Sequence, residues 1–159
     1  MDKLIKELLK TTLKKNNFPV IDDFLYIDRF DPVADSYSDT GSAYHLTYFH
    51  PGIGYYSFVL DTKRSLCYRD DIHVDPDMRG CGHGTRLVKM REELCSQLGI
   101  KKIVVHDVIV EDFWSQPELS YRPLGQEDKK NLISELPKLR FINTPLYKNL
   151  AQERPVEEG

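Results

Sequence analysis

Three glycines at alternate positions, Gly80, Gly82 and Gly84, separate a strand-like run from a helical one, and they constrain the fold more than any other feature. The run before them, at 65–74, is rich in residues that favour strands. An apolar stripe with helical spacing follows at 83–98, and an apolar strand is predicted at 101–108. Strand, loop, helix and strand within about 35 residues predict a βαβ crossover with its two strands parallel.

The remainder of the chain predicts helices and a mainly antiparallel sheet. An amphipathic helix is expected up to 16–17, followed by strands at 24–30, 43–50 and 55–61 joined by short turns. Beyond the crossover, a helix is predicted at 127–136. The pattern there also indicates a short helix within 110–125, an extended segment at 138–143 and an extended or helical one at 146–150. The fold class is therefore α/β, a mixed sheet with flanking helices, in a single domain over 1–150 with a disordered acidic tail at 151–159.

Composition excludes several classes of function. Lys and Arg total 22 against 25 Asp and Glu, so the chain lacks the basic surface of a nucleic-acid-binding protein. Its apolar runs fall far short of the ~20 residues of a membrane span, and its first residues lack a secretory signal, so no membrane partner is expected. Three cysteines without a CxxC pair cannot close a disulfide framework, and free thiols favour the cytoplasm.

The glycine loop is suited to an anion that approaches the backbone closely. Glycine adopts positive φ and leaves room for another group. A helix start adds unpaired amides and a partial positive charge, and Arg79 adds a permanent cation, which together are typical of a phosphate or pyrophosphate site. A tight turn without a ligand is the alternative, but three glycines in register with a helix start favour the anion site.

Two common phosphate loops do not fit these residues. A Walker loop ends in Gly-Lys-Ser/Thr, whereas His83 follows Gly82 here and no lysine is present. The dinucleotide fingerprint G-x-G-x-x-G requires a glycine where Thr85 stands, and its loop follows a parallel strand at the front of the domain. An unrelated protein that binds a nucleotide phosphate stays open as an alternative.

A third kind of loop matches at every anchor position. The residues are Ile72-His-Val74-Asp-Pro76, then Arg79-Gly-Cys-Gly82-His-Gly84-Thr-Arg-Leu87. They resemble the acyl-CoA loop of the GNAT acyltransferase superfamily, which carries Gln/Arg-x-x-Gly-x-Gly/Ala after an apolar strand ending in V-x-P. The resemblance covers 66–108. The chain departs from the family at 31–42, a loop too short for the two helices that usually lie between the first two strands.

The resemblance implies a fold, a donor and a reaction. The fold is a GNAT-like sheet in which the donor strand and the next parallel strand splay apart. The donor is acetyl-CoA or another acyl-CoA, with its pyrophosphate on the loop amides, its pantetheine along the donor strand and its thioester carbonyl near the Val74 amide. A homodimer is implied by the same resemblance. The implied donor-binding residues are Ile72, His73, Val74, Arg79, Gly80, Cys81, Gly82, His83, Gly84 and Thr85.

Direct transfer of an acyl group to an amine requires a base and is helped by an acid. Asp70, Asp71 and His73 on the donor strand are candidate bases, with Asp71 and His73 sharing one side of the strand. In the family a tyrosine after the splayed strand often serves as the acid, which makes Tyr121 the candidate here, ahead of Tyr147. The alternative roles are solvated side chains for the first three and a packing residue for the tyrosines.

No metal site is predicted, because the spacings of Cys67, His73, Cys81 and His83 match no zinc pattern. The predicted function is N-acyltransfer from an acyl-CoA, without a metal, to a small-molecule or peptide amine. The acidic balance of charges favours a cationic acceptor. A CoA-binding module that has lost catalysis is the alternative of the same fold.

Overall fold

The chain forms a single mixed sheet with helices on both of its faces. The computed structural model describes residues 2–105, 113–114, 116–141 and 145–150. The helices of ten or more residues in these segments are α1 (Asp2–Lys15), α2 (His83–Gln97) and α3 (Gln126–Glu135). The strands are β1 (Leu25–Asp31), β2 (Ser36–Tyr37), β3 (Ala43–His50), β4 (Gly54–Asp61), β5 (Leu66–Val74), β6 (Lys102–Val105), β7 (Arg122–Pro123) and β8 (Leu146–Asn149). Their order in the sheet is β2-β1-β3-β4-β5-β6-β8-β7.

The antiparallel meander and the crossover are both confirmed. Strands β1, β3, β4 and β5 pair antiparallel in that order, and β3 spans the predicted residues. Strand β5 then pairs parallel to β6, with α2 as the connection between them. Gly99, with φ of +74°, follows the end of α2 in the left-handed conformation of a helix C-terminus.

Helix α1 packs on the sheet through one apolar stripe. Ile5, Leu9 and Leu13 are fully buried at helical spacing. Burial of each such side chain contributes about 1.5–3 kcal/mol relative to exposure. Asn17 adopts a left-handed φ of +64°, and the Phe18 amide donates back to the Leu13 carbonyl at 2.9 Å, so the helix ends where the sequence predicts.

The two faces of the sheet are covered unequally. Helices α1 and α2 cover one face, here called the helical face, with Tyr48 and Tyr56 in its core. On the other side, among the described residues, α3 and residues 136–141 cover the end of the sheet near Val59 and Tyr68. We call the rest of that side the open face. Strand alternation places on it Tyr26, Asp28, Thr47, Phe49, Tyr55, Ser57, Asp71 and His73.

A β-bulge in β5 changes which side chains reach each face. Arg69 has a positive φ of 59°, and Arg69 and Asp70 together lie opposite Phe58 alone. Before the bulge, Cys67 packs in the core under the helical face. After it, the even positions turn to that face, so that Asp70 meets Arg91 of α2, while the odd positions turn to the open face.

Strands β5 and β6 stop pairing just before this bulge. Within the described residues they pair only where Leu66 meets Lys102 and Cys67 meets Ile103. The next residues of β6 continue to pair with β8. The early end of this pairing confirms the expected splay of the parallel pair, and the bulge follows directly after it in β5.

The sequence prediction is least complete after the crossover. Helix α3 confirms the helix predicted at 127–136. The segment at 146–150, which was predicted to be extended or helical, contains the strand β8. The extended segment predicted at 138–143 is not a strand at 138–141. The two-residue strands β2 and β7 were not predicted, since each depends on its partner rather than on a pattern of its own. The tail at 151–159 lies outside the described residues.

No helix among the segments described has both the length and the apolar character that crossing a membrane requires.

Candidate active site

A cleft of about 710 Å³ opens where β5 and β6 separate. Nine of the ten residues expected to bind the donor line it: Ile72, His73, Val74, Arg79, Gly80, Gly82, His83, Gly84 and Thr85. Cys81 is not part of the lining; it is exposed, with its Sγ atom 3.9 Å from the Arg79 carbonyl. The fold therefore brings the glycine loop and the donor strand to one cavity.

The glycine loop presents an open backbone surface to this cleft. Gly80 and Gly82 have φ of +83° and +84°, and a Cβ atom on either would meet nothing within 4 Å. Gly82 is the N-cap of α2 and has no side chain to cap the helix. The first hydrogen bond of the helix runs from the Arg86 amide to the Gly82 carbonyl at 3.0 Å, so the three amides before Arg86 have no acceptor within the helix. Unpaired amides at a helix start are the kind of groups that bind anions in proteins.

Gly84 serves a different purpose, the close packing of an aromatic ring. A Cβ atom on Gly84 would lie 3.0 Å from Cε1 of Phe113, tighter than nearly all real contacts of that kind. The Phe113 ring therefore rests directly on the first turn of α2, beside Ile72. Phe113, Trp114 and Val105 line the cleft but were not predicted to do so. The adjacent pair of aromatic residues was the available signal.

The backbone of β5 directs one amide into the cleft. The His73 carbonyl faces Gly54 of β4. It lies so close that a Cβ atom on Gly54 would be only 1.9 Å from the carbonyl oxygen. The described chain has no cis peptide bond, so the Val74 amide on the same peptide plane points the opposite way, towards the separated β6. The next carbonyl, that of Val74, accepts a hydrogen bond from Nε of Arg79 at 2.9 Å. Arg79 thus joins the loop to the end of the strand.

Asp71 and His73 reach the cleft from the open face. The Tyr55 hydroxyl donates to Oδ2 of Asp71 at 3.3 Å, and the Tyr55 ring stacks on His73 with centroids 5.5 Å apart. Partial burial and the Asp71 carboxylate raise the pKa of Tyr55. Nε2 of His73 lies 3.4 Å from Oδ1 of Asp75. The sequence prediction that Asp71 and His73 share one side of the strand agrees with this arrangement.

A buried ion pair forms the floor of the cleft. Arg91 is fully buried, and its Nη1 atom pairs with Oδ2 of Asp70, whose side chain is 2% exposed. The same carboxylate oxygen accepts from the Tyr56 hydroxyl at 2.8 Å, while Nη2 of Arg91 donates to the Tyr121 hydroxyl at 2.8 Å. Burial opposes the charge of Arg91, but the Asp70 carboxylate and the two phenols outweigh it and hold the pKa of Arg91 well above its ordinary value. Among the residues that the structure describes, Oδ1 of Asp70 has no hydrogen-bond partner.

Tyr121, the candidate acid, belongs to this network rather than to the cleft lining. Its side chain is nearly fully buried, and its hydroxyl donates to Oε2 of Glu92 at 2.8 Å. Its ring packs on Trp114 with centroids 5.0 Å apart, and Trp114 in turn lines the cleft. Burial raises the pKa of Tyr121 well above its ordinary value. Its role as the acid stays a prediction.

Sequence reasoning placed only the stem of Arg91 in the apolar stripe of α2, whereas the whole side chain is buried. An arginine within an otherwise apolar stripe was the signal that a buried carboxylate lies opposite. For metals, the described segments contain no group of three or more His, Cys, Asp or Glu side chains that could hold an ion.

The family match and the similarity to one solved structure agree with this fold. Residues 12–117 match the model of the acetyltransferase (GNAT) family. The structure is similar to that of an acetyltransferase of the GNAT family from Staphylococcus aureus Mu50, with a TM-score of 0.53 and 18% identity over 93% of this chain and 91% of that one. Tetrahymena GCN5 gives a TM-score of 0.49 and 12% identity over 71% of each chain. No curated protein sequence matches.

Proposed function

Because the chain belongs to the GNAT acetyltransferase family, we propose that it transfers an acyl group, acetyl being the expected one, from an acyl-CoA to a primary amine. The observation that carries the proposal is that two sets of backbone amides, both hydrogen-bond donors, face one cleft. The uncapped start of α2 offers amides to a pyrophosphate, and the Val74 amide offers one to a thioester carbonyl.

The two faces of the sheet favour opposite sides of the cleft for the two substrates. The glycine loop and Ile72 lie on the helical face, which favours that side for the acyl-CoA. Asp71 and His73 lie towards the open face, which favours that side for the amine. The reacting atoms would then meet in the gap between β5 and β6.

The reaction requires one bond to form and one to break. The nitrogen of the neutral amine attacks the thioester carbonyl carbon, and the Val74 amide stabilises the negative charge that develops on the carbonyl oxygen. The C–S bond then breaks, the amide product forms, and the departing thiolate takes up a proton to leave CoA as a thiol. The proton lost by the amine goes to a base.

We assign the base to His73 and the binding of the ammonium form to Asp71. With Nε2 facing Asp75, Nδ1 of His73 is the nitrogen left to accept the proton of the amine. The Asp75 carboxylate acts through His73 by fixing its ring, so it is a positioning residue. Asp71 is exposed at the mouth of the cleft and supplies the opposite charge. Tyr121 stays the proposed acid.

A CoA-binding module without catalysis is the second candidate. The placement of the Tyr121 hydroxyl against Glu92 and Arg91, away from the cleft lining, favours it. In parallel titrations of the purified protein we expect acetyl-CoA and CoA to bind in preference to ATP and NAD. Release of free thiol with added amines would then support the transferase, whereas binding without release would support the module. Failure of the folded protein to bind CoA would contradict both.

Substitutions at Asp71 and His73 are expected to change different kinetic constants. His73→Gln should lower kcat by about 100-fold or more, because general base catalysis contributes 10²–10⁴-fold. Asp71→Asn should mainly raise KM for the amine. Steady-state kinetics with thiol detection measures both, and KM for acetyl-CoA, which should stay unchanged, is the internal control. An unaltered kcat in His73→Gln would contradict the assignment of the base.

A further inference from the structure

A row of aromatic rings crosses the open face and ends at the cleft. The rings of Tyr26 and Phe49 have centroids 5.9 Å apart, those of Phe49 and Tyr55 are also 5.9 Å apart, and Tyr55 stacks on His73 at 5.5 Å. Tyr26 is 49% exposed and Phe49 is 41% exposed. Large aromatic side chains exposed in a continuous row on a sheet are unusual, and they mark binding surfaces.

Polar side chains run beside this aromatic row and are in register across the strands. Thr47 pairs with Ser57, and Ser57 pairs with Asp71, so two hydroxyl-bearing side chains lead to a carboxylate at the cleft. Ser57 is buried at the floor of this row. The row therefore offers hydrogen-bond acceptors along the path that the aromatic rings border.

Asp28 extends the acidic character to the far end of the open face. It is exposed and pairs across strands with His45. Burial, together with the positive charge of Arg69, lowers the pKa of His45, so this imidazole does not offset the neighbouring carboxylates at neutral pH. The Arg69 guanidinium is itself paired with Asp35, with 3.3 Å between Nε and Oδ1. The open face thus carries net negative charge at both ends of the aromatic row.

Aromatic faces and carboxylates together attract ammonium groups. A cation over an aromatic ring gains electrostatic energy from the ring quadrupole, and a carboxylate adds direct attraction. Because Asp71 and His73 belong both to the cleft and to this surface, a molecule whose amine reacts in the cleft would have the rest of its length on the rings.

We propose that the open face is the acceptor subsite and that it binds an elongated aliphatic amine with a second positive charge, held over the rings between Asp71 and Asp28. Three strand spacings and the offset of two residues separate these carboxylates by roughly 15 Å. This inference rests on the proposed function, since it extends the amine side of the same cleft.

Binding measurements with two amines test the proposal without depending on turnover. Spermine is a linear amine with several positive charges, and hexylamine has one charge on a comparable aliphatic chain. Titration calorimetry of the full chain, saturated with CoA, should show spermine binding at least about tenfold more tightly than hexylamine. The double variant Tyr26→Ala/Asp28→Asn should lose about five- to tenfold of the affinity for spermine and little for hexylamine.

A matched variant separates the site from overall charge. Glu127→Gln removes one negative charge from the exposed first turn of α3 and should leave both affinities unchanged. Equal binding of spermine by the wild type and the double variant would overturn the proposal. So would an equal loss in Glu127→Gln, which would indicate attraction by net charge alone.

Turnover of the two amines distinguishes this inference from the proposed function. If hexylamine is acetylated and spermine shows no advantage in kcat/KM, the open face is not the subsite although the protein is a transferase. If neither amine is acetylated but spermine binds through Tyr26 and Asp28, the inference holds for binding and the transferase proposal fails.

Discussion

Gly82→Glu is expected to abolish measurable acyl-CoA binding while the chain still folds. The Cβ position of Gly82 faces open space in the cleft, so the new carboxylate would lie among the amides that bind the pyrophosphate. Like charges within about 4 Å repel by roughly 1–4 kcal/mol each near a protein surface, which corresponds to a loss of at least about 100-fold in affinity. Titration calorimetry with CoA measures this loss directly.

Gly99→Glu is the matched control for that substitution. Gly99 has a similar positive φ of +74° and similar open space around its Cβ position, but it lies at the opposite end of α2 from the loop. Both variants should therefore lose about 1–2 kcal/mol of stability from backbone strain, while only Gly82→Glu loses CoA binding. A folded Gly82→Glu protein with unchanged affinity for CoA would contradict the assignment of the donor site.

Arg91→Leu is expected to lower the free energy of unfolding by about 3–5 kcal/mol, because removing one partner of a buried pair leaves the other charge uncompensated. The charge left without its partner is the Asp70 carboxylate. The Tyr121 hydroxyl also loses the hydrogen bond that the Arg91 guanidinium donates to it. Urea unfolding of the variant and the wild type measures this loss.

Two further variants test whether the buried charge is the cause. Asp70→Leu/Arg91→Leu removes both charges of this pair and should recover at least half of the lost stability. Lys15→Met removes a surface ion pair whose Nζ lies 2.8 Å from Oε2 of Glu93 and whose lysine side chain is 69% exposed, and it should cost less than about 1 kcal/mol. A double variant no more stable than Arg91→Leu would show that lost packing, not the unpaired charge, dominates.

The crossover and the glycine loop could be predicted because their signals are local. Period-two and helical patterns on either side of the loop identify the strand and the helix, and the positive φ values of Gly80 and Gly82 agree with the reason for placing glycine there. It was also predictable that alternate residues of β5 beyond Arg69 share one side of the strand, because this alternation of side chains does not depend on the neighbouring strands.

The floor of the cleft could not be predicted, because it depends on contacts between distant elements. Asp70 and Arg91 lie on a strand and a helix whose relative placement no local pattern specifies. The burial of Tyr121 has the same origin, since its hydroxyl is held by two side chains of α2. The positive φ of Arg69, a residue type without a preference for that conformation, gave no sequence signal.

The extra residue at that bulge also affects how this strand can be compared with others. Asp70 and Asp71 are adjacent in the chain, yet one lies in the interior beside an arginine and the other lies at the open mouth of the cleft. An alignment with a strand that lacks the bulge, made without a gap at Arg69, would assign every later position to the wrong side of the sheet. Residue roles transferred through such an alignment would exchange the buried aspartate with the exposed one.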